Sequence, residues 1–181
     1  MPRPAPTFAL RFPIADIPDL AARYQYADES AAMTSGRAIA AGEHTRANLT
    51  TIHRWKTKGR GRSRLGWNTD VEIADALALA VAAKTDRAAA SVLCGLAGVK
   101  LPVASAVLMA IDPARYTIID VRALDSLGAL GNRIDLRLYL TYLHFCRALA
   151  FEAGTSLRTL DRALWQWSKR YGSAVVRDDD S

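Results

Sequence analysis

The spacing of apolar residues constrains this chain more than any other feature of its sequence. After residue 15, apolar side chains recur every three or four positions almost everywhere, whereas runs that alternate between apolar and polar residues are missing. The first pattern places apolar side chains along one face of a helix, and the second is the pattern of a half-buried strand. We therefore predict an all-α fold with no sheet.

Caps, glycines and prolines divide this pattern into nine predicted helices. Thr69-Asp70-Val71-Glu72 is a capping box, in which a hydroxyl and a carboxylate satisfy amides at a helix start. Asp112-Pro113 ends a helix, because proline disfavours helical backbone in the residue before it. The predicted segments are about 17–26, 30–41, 45–56, 70–81, 86–96, 101–111, a helix beginning at or just after 120, 136–153 and 157–171.

Length and composition indicate a single core. Half of the 181 residues are hydrophobic, which is enough for one sizeable core and little for a second. We expect residues 1–176 to form one helical domain, followed by a disordered acidic tail at 177–181. Three prolines interrupt the first six residues, and no apolar run is long enough for a signal peptide or a membrane span. We therefore expect a soluble, cytoplasmic protein.

The positive charge of the chain is concentrated in one segment. The net charge is +6, and it is +8 without the acidic tail, which favours a polyanionic partner such as nucleic acid, although an anionic membrane would also satisfy it. Six cations fall within eleven residues that contain no acid, and we call this segment the basic arm. Its cations are Arg54, Lys56, Lys58, Arg60, Arg62 and Arg64.

The segment from Leu93 to Leu108 has the pattern of a helix, a tight turn and a second helix. Gly98 supplies the backbone freedom that the turn needs, and Val99 is expected to point back between the two helices as an apolar plug. Amides at the start of the second helix then face outward with a positive polarisation, next to Lys100. Such a helix start suits a phosphate.

Further along, an apolar, strand-like stretch, Tyr116-Thr117-Ile118-Ile119, leads to Asp120, eighteen positions after Pro102. Together with the turn Leu96-Ala97-Gly98-Val99 and the helical Ala104, this spacing gives a sequence pattern that resembles the one shared by the helix-hairpin-helix DNA glycosylases. This superfamily includes endonuclease III, the adenine glycosylase and the alkyl-base glycosylases. The resemblance implies a helical hairpin at about 93–111 that binds DNA through Gly98, Val99 and Lys100. It also implies a catalytic carboxylate at Asp120, and no metal or other cofactor.

A wider resemblance, over about residues 50–170, is to a short and less-characterised branch of the same superfamily. Its recurrent motifs are Arg54-Trp55-Lys56, Ile119-Asp120-Val121-Arg122-Ala123-Leu124 and Leu160-Asp161-Arg162-Ala163-Leu164-Trp165. The resemblance to this branch implies the helical architecture of the superfamily, and it hardly restricts which base is the substrate.

Two positions depart from the superfamily pattern. Lys100 replaces the second glycine of the turn, where it can add a phosphate contact. Pro102 stands where bifunctional members keep the lysine that forms a Schiff base, so lyase chemistry through this position is excluded. The expected activity is monofunctional base excision, in which Asp120 stabilises an oxocarbenium sugar and helps to position or deprotonate the attacking water.

Four aromatic residues are candidates for a base pocket, because the target nucleotide must leave the duplex. They are Tyr24 and Tyr26, at the end of the first predicted helix, and Trp55 and Trp67, which bracket the basic arm. A tryptophan near a helix end is often a core anchor, and that interpretation also stays open.

The remaining reactive side chains show no pattern of their own. Cys94 and Cys146 lack CxxC spacing, so we expect two buried reduced thiols, and the histidines lack the spacing of a metal site, with His144 expected in the core. We expect a monomer with no obligate protein partner.

Three functions remain open at this point. The first is a glycosylase in repair or in anti-phage defence, and its base could be oxidised guanine, an alkylated purine or a modified cytosine of phage DNA. The second is a non-catalytic DNA-binding protein, in which Asp120 only caps the helix that follows it. The third is an RNA-binding or toxin-like role that depends on the basic arm.

Overall fold

A computed structural model describes residues 7–173, and these residues contain helices and no strand. The all-α prediction is confirmed for this part of the chain, and the predicted tail at 177–181 lies outside it. No helix within residues 7–173 is long and apolar enough to cross a membrane. The helices are α1 (Ile17–Ala22), α2 (Ser30–Ala40), α3 (Arg46–Thr57), α4 (Arg62–Leu65), α5 (Asp70–Ala82), α6 (Asp86–Cys94), α7 (Leu101–Ile111), α8 (Val121–Ser126), α9 (Leu136–Glu152) and α10 (Leu157–Tyr171).

Most of these helices begin where the sequence places a cap. The capping box forms at α5, because the Thr69 hydroxyl accepts from the Glu72 amide at 3.2 Å and the Glu72 carboxylate accepts from the Thr69 amide at 2.6 Å. Two predictions were wrong. Helix α1 ends at Ala22, four residues before the predicted end at Tyr26, and the one-turn helix α4 was not predicted.

The described chain divides into two compact units. The contiguous unit is Ala27–Tyr116, and the two-segment unit combines residues 7–26 with 117–173. Whether the two units together form one domain, as we expect for residues 1–176, stays a prediction.

Helix α7 forms the centre of the contiguous unit. Nearly all of its side chains are buried, and α2, α3 and α6 pack around it. At Gly36 in α2, a Cβ atom would lie 2.1 Å from the carbonyl oxygen of Ala110 in α7. The two helix backbones therefore touch at Gly36, which no larger residue would allow.

Helix α10 holds the two-segment unit together by packing against α1, α8 and α9. Asp125 of α8 is fully buried, and its carboxylate accepts from Arg11 Nη1 and from the hydroxyl of Ser168 in α10, both at 2.8 Å. The Ala9 amide donates to the Leu127 carbonyl at 3.0 Å. These bonds tie both chain segments to α10, on the same helix α8 that Asp120 precedes.

Candidate functional site

A tight turn, Gly95–Lys100, joins α6 to α7 in the contiguous unit. Gly98 has a φ of +79°, a conformation that glycine adopts at little cost, and Val99 is buried as predicted. Lys100 is exposed and stands immediately before α7 with extended backbone and no capping bond from its side chain. Pro102 lies in the first turn of α7, where its missing amide costs no hydrogen bond.

Asn68 holds this turn from outside the hairpin. Its Nδ2 donates to the Ala97 carbonyl at 3.0 Å, and its Oδ1 accepts from the Ala97 amide at 2.8 Å. The same Nδ2 also donates to the Leu65 carbonyl at 3.0 Å. Because Asn68 is buried, these bonds fix Ala97 in a low-dielectric setting, where an unmade bond is costly. Sequence reasoning missed Asn68, which looks like an ordinary loop residue before the capping box.

The structure brings the basic arm against the turn. A Cβ atom at Gly98 would lie 2.9 Å from the Leu65 amide nitrogen and 3.2 Å from two carbon atoms of Arg64. Arg62 and Arg64 are exposed on α4, while Leu65 is buried beneath them. The buried Leu65 side chain, which follows the basic arm directly, anchors this helical turn.

His53 lies beneath the same turn. Its ring is buried, with 1% of the residue exposed, and it forms a hydrogen bond with the backbone of Gly98. Burial lowers the pKa of His53 from its ordinary 6.5, and the Gly98 bond offsets only part of this effect. The neutral imidazole is therefore part of the support for the turn.

Asp120 lies in the two-segment unit, at the end of an extended and buried stretch. The hydroxyls of Tyr139 and Tyr142 in α9 donate to the carbonyls of Thr117 at 3.4 Å and Ile118 at 2.7 Å. Asp120 then caps α8, with its Oδ1 accepting from the Ala123 amide at 2.9 Å. Asp120 is therefore the N-cap of α8, and its carboxylate remains half-buried.

Two carboxylates act on the buried hydroxyl of Tyr142. Burial raises the pKa of Tyr142 well above its ordinary value, and the charges of Cys146, Asp161 and Asp120 raise it further. Asp161 is buried in α10 and paired with Arg158. The Tyr142 hydroxyl therefore stays protonated and keeps donating to the Ile118 carbonyl.

Three aromatic rings meet in the same unit. Tyr24 and Tyr26 are stacked with their centroids 6.2 Å apart, and each meets Trp165 of α10 edge-on at 5.3 and 5.4 Å. We call these three rings the aromatic cluster. The backbone of Gln25, between the two tyrosines, is bonded to the side chains of Gln166 and Lys169. This arrangement requires α1 to end before Tyr24, because residues two apart on a helix face different ways.

Cationic side chains surround the aromatic cluster. Over Trp165, the Arg122 guanidinium lies at 5.4 Å and the Lys169 ammonium at 5.1 Å from the ring centroid. Arg158 and Arg162 lie 5.3 and 5.8 Å from the Tyr24 ring. Arg122 is two residues after Asp120, so the cluster and the aspartate share helix α8 as a support. Sequence reasoning missed the place of Trp165 in this cluster, although Trp165 closes the Leu160–Trp165 motif.

The four predicted pocket aromatics are thus divided between the units. Tyr24 and Tyr26 meet each other and Trp165 in the two-segment unit, whereas Trp55 and Trp67 belong to the contiguous unit. Trp55 is buried, with 8% exposed, and its indole donates to the Ala27 carbonyl at 3.3 Å, as expected of a core anchor. Trp67 is 74% exposed.

The thiols and imidazoles form no further site in residues 7–173. Cys146 is buried and Cys94 half-buried, both are free thiols, and burial raises the pKa of Cys94 to about 11. His144 is exposed on α9, so its expected place in the core was wrong. No three His, Cys, Asp or Glu side chains within the described range are grouped so as to hold a metal ion. Comparison with known proteins gave no match to a family model, a curated protein or a solved structure.

Proposed function

We propose that this protein is a monofunctional DNA glycosylase that extrudes a damaged or modified base and hydrolyses its N-glycosidic bond. The observation that carries the proposal is the position of Asp120, which is half-buried at the start of α8, two residues before the Arg122 whose guanidinium lies over the Trp165 ring of the aromatic cluster. In the proposed mechanism, the contiguous unit binds DNA and the two-segment unit performs the chemistry.

DNA binding is assigned to the turn at Gly98, Val99 and Lys100, which we propose to be a helix-hairpin-helix. Two features support this assignment. No side chain caps the start of α7, whose positive polarisation suits a phosphate, and Arg64 of α4 lies directly against the turn, with Arg62 exposed on the same helix. Arg54, Lys56, Lys58 and Arg60 are assigned to DNA binding as further positive charge in the basic arm.

Base recognition is assigned to the aromatic cluster. An extruded base presents a flat π-surface, and stacking on tyrosine or tryptophan rings replaces the stacking that it loses in the duplex. Lys169 is exposed, and together with Arg122 it can donate hydrogen bonds to carbonyl oxygens or ring nitrogens at the edge of a base.

Bond cleavage is assigned to Asp120 and water. The electron pair of the glycosidic bond leaves with the base, and the sugar becomes an oxocarbenium ion that the Asp120 carboxylate stabilises electrostatically. Water then adds to C1′, and the carboxylate takes up the proton that water loses. The base takes up a proton as it departs, so the products are a free base and an abasic site. Since residue 102 is proline, no amine at that position can replace water as the nucleophile.

Asp120→Asn tests this assignment with little structural change. Asparagine caps a helix about as well as aspartate, so α8 should persist while the negative charge is removed. We expect base release to fall at least a hundredfold and DNA affinity to change by less than about threefold. Released bases are identified by mass spectrometry after incubation with DNAs carrying oxidised guanine, alkylated purines or modified phage cytosines.

Asp135→Asn is the matched control. Asp135 caps α9 in the same unit through an equivalent bond, 2.9 Å from its Oδ1 to the Leu138 amide, so this change removes one charge from one cap. Base release by this variant should equal that of the parent. Equal activity of Asp120→Asn and parent would contradict the catalytic role.

A non-catalytic DNA-binding protein is the second candidate, and the capping bond of Asp120 favours it, because that bond alone accounts for an aspartate at this position. This candidate predicts DNA binding with no release of any base from the complete panel.

A further inference from the structure

Trp67 presents a large apolar surface to solvent from a firmly held segment of chain. The indole is 74% exposed, yet its neighbours Leu65 and Asn68 are both buried. The Trp67 amide donates to the Arg64 carbonyl at 3.1 Å, and Asn68 is bonded to Ala97 through both ends of its side-chain amide. The backbone of Trp67 is thus fixed between the buried Leu65 side chain and the hydrogen-bonded Asn68 side chain. Binding through Trp67 therefore costs little backbone conformational entropy.

The surroundings of Trp67 identify the kind of partner. Arg62 and Arg64 precede it on α4 and are exposed, and Lys100, at the turn that Asn68 clamps, is exposed as well. A flat aromatic ring beside several cations is the combination by which proteins bind unpaired nucleotides, with the ring stacking on a base and the cations contacting phosphates. A membrane surface would require a continuous apolar helix face, and α4 has a single turn with its leucine buried.

We propose that Trp67 is a stacking platform for an unpaired nucleobase of a DNA strand whose phosphates contact Arg62 and Arg64. The protein then prefers DNA with single-stranded character over a perfect duplex, because paired bases offer no open face to the indole. This proposal depends on the proposed function only in taking DNA as the partner, and it does not require base excision.

The test measures binding of a labelled (dT)20 strand and of a 20-base-pair duplex by fluorescence anisotropy. Trp67→Ala should weaken binding to (dT)20 at least fivefold and binding to the duplex less than twofold, since stacking on one ring contributes to the first complex only. Trp67→Phe keeps a π-face and should retain most of the affinity for (dT)20. The parent should show quenching of tryptophan fluorescence on binding (dT)20, and Trp67→Ala should lose most of it.

Phe151→Ala is the control, because Phe151 is another exposed aromatic residue, 89% exposed, on α9. It should bind both DNAs as the parent does. Equal losses on both DNAs in Trp67→Ala, or no loss on either, would overturn the proposal. Loss of binding to phosphatidylserine vesicles with unchanged (dT)20 binding would overturn it in favour of a lipid surface. Asp120→Asn should keep the (dT)20 preference, so failure of the stacking platform and failure of the glycosylase are distinguishable.

Discussion

His53 illustrates how a single buried side chain can make a binding turn sensitive to pH. Its ring lies beneath Gly98, and burial holds its pKa below the ordinary 6.5. As the pH falls, the unfolded chain therefore binds a proton on this residue before the folded chain does. The free energy of unfolding then decreases from about pH 7 down to the folded pKa, with a slope of at most about 1.4 kcal/mol per pH unit.

We expect His53→Gln to reduce this pH dependence. Glutamine can fill a similar space and does not titrate, so the melting temperature of the variant should change less between pH 7 and pH 5 than that of the parent. Thermal denaturation at half-unit pH intervals gives the slope. His144→Gln, at an exposed position on α9, should keep the parental slope. A parental slope in His53→Gln would show that other groups cause the acid sensitivity.

Individual residues were predictable where their role is local. The cap at Asp120, the plug at Val99 and the positive φ at Gly98 each follow from the immediate sequence. Asn68 and Trp165 could not be found in this way, because their partners at Ala97 and at Tyr24 are far away along the chain. A contact between distant segments leaves no periodic pattern in the sequence.

At the scale of elements, helix starts were more predictable than helix ends. Thr45, Thr69 and Asp135 each accept a bond from an amide three residues later, which is a signal that the sequence displays directly. The end of α1 at Ala22 depends instead on the packing of Tyr24 and Tyr26 against α10. The one-turn helix α4 is similarly fixed by its contact with the turn rather than by its own Gly- and Arg-rich sequence.

The turn between α6 and α7 should tolerate no side chain at residue 98. Gly98→Ala introduces a positive-φ alanine, which costs about 1–2 kcal/mol, and a clash with the Leu65 amide that costs about 1–3 kcal/mol more. Because the clash pushes α4 away from the turn, DNA affinity should also fall. Urea denaturation gives the loss of stability, and anisotropy gives the loss of affinity.

Gly42→Ala separates the two causes. Gly42 lies in the same unit with a φ of +103°, and nothing lies within 4 Å of its would-be Cβ atom. It should show only the backbone cost and parental DNA binding. Equal destabilisation by the two substitutions would mean that the contact between the basic arm and the turn contributes nothing.

At the scale of the whole molecule, cations outnumber anions in both units, but only the basic arm concentrates them without an intervening acid. The composition indicated the excess of positive charge, and the spacing of apolar residues predicted the helices. Neither could predict that the chain divides at Tyr26 and Tyr116, because that division follows from which helices pack together.

We expect the arm to determine the salt dependence of DNA binding. Replacing Arg62 and Arg64 together by alanine should make the slope of log affinity against log salt less steep by about 1.8, or about 0.9 for each phosphate of duplex DNA that the variant no longer neutralises. Duplex titrations between 50 and 200 mM salt, a range of about fourfold, give the slope. Replacing Arg133 and Arg137, which are exposed near the start of α9, removes the same charge and should leave the slope nearly parental. Equal changes in the two variants would show that net charge matters rather than its location.

The packing of α1 against α10 has a consequence for the order in which the protein folds during synthesis. The contiguous unit is complete once Tyr116 has left the ribosome, whereas α10, the helix against which α1 packs most extensively, is made last of the described helices. At about 5–20 residues per second, that delay is on the order of ten seconds. During this time Phe12, whose ring stacks on Trp167 of α10 in the finished fold, and the buried Ile17 of α1 remain available to chaperones on the nascent chain.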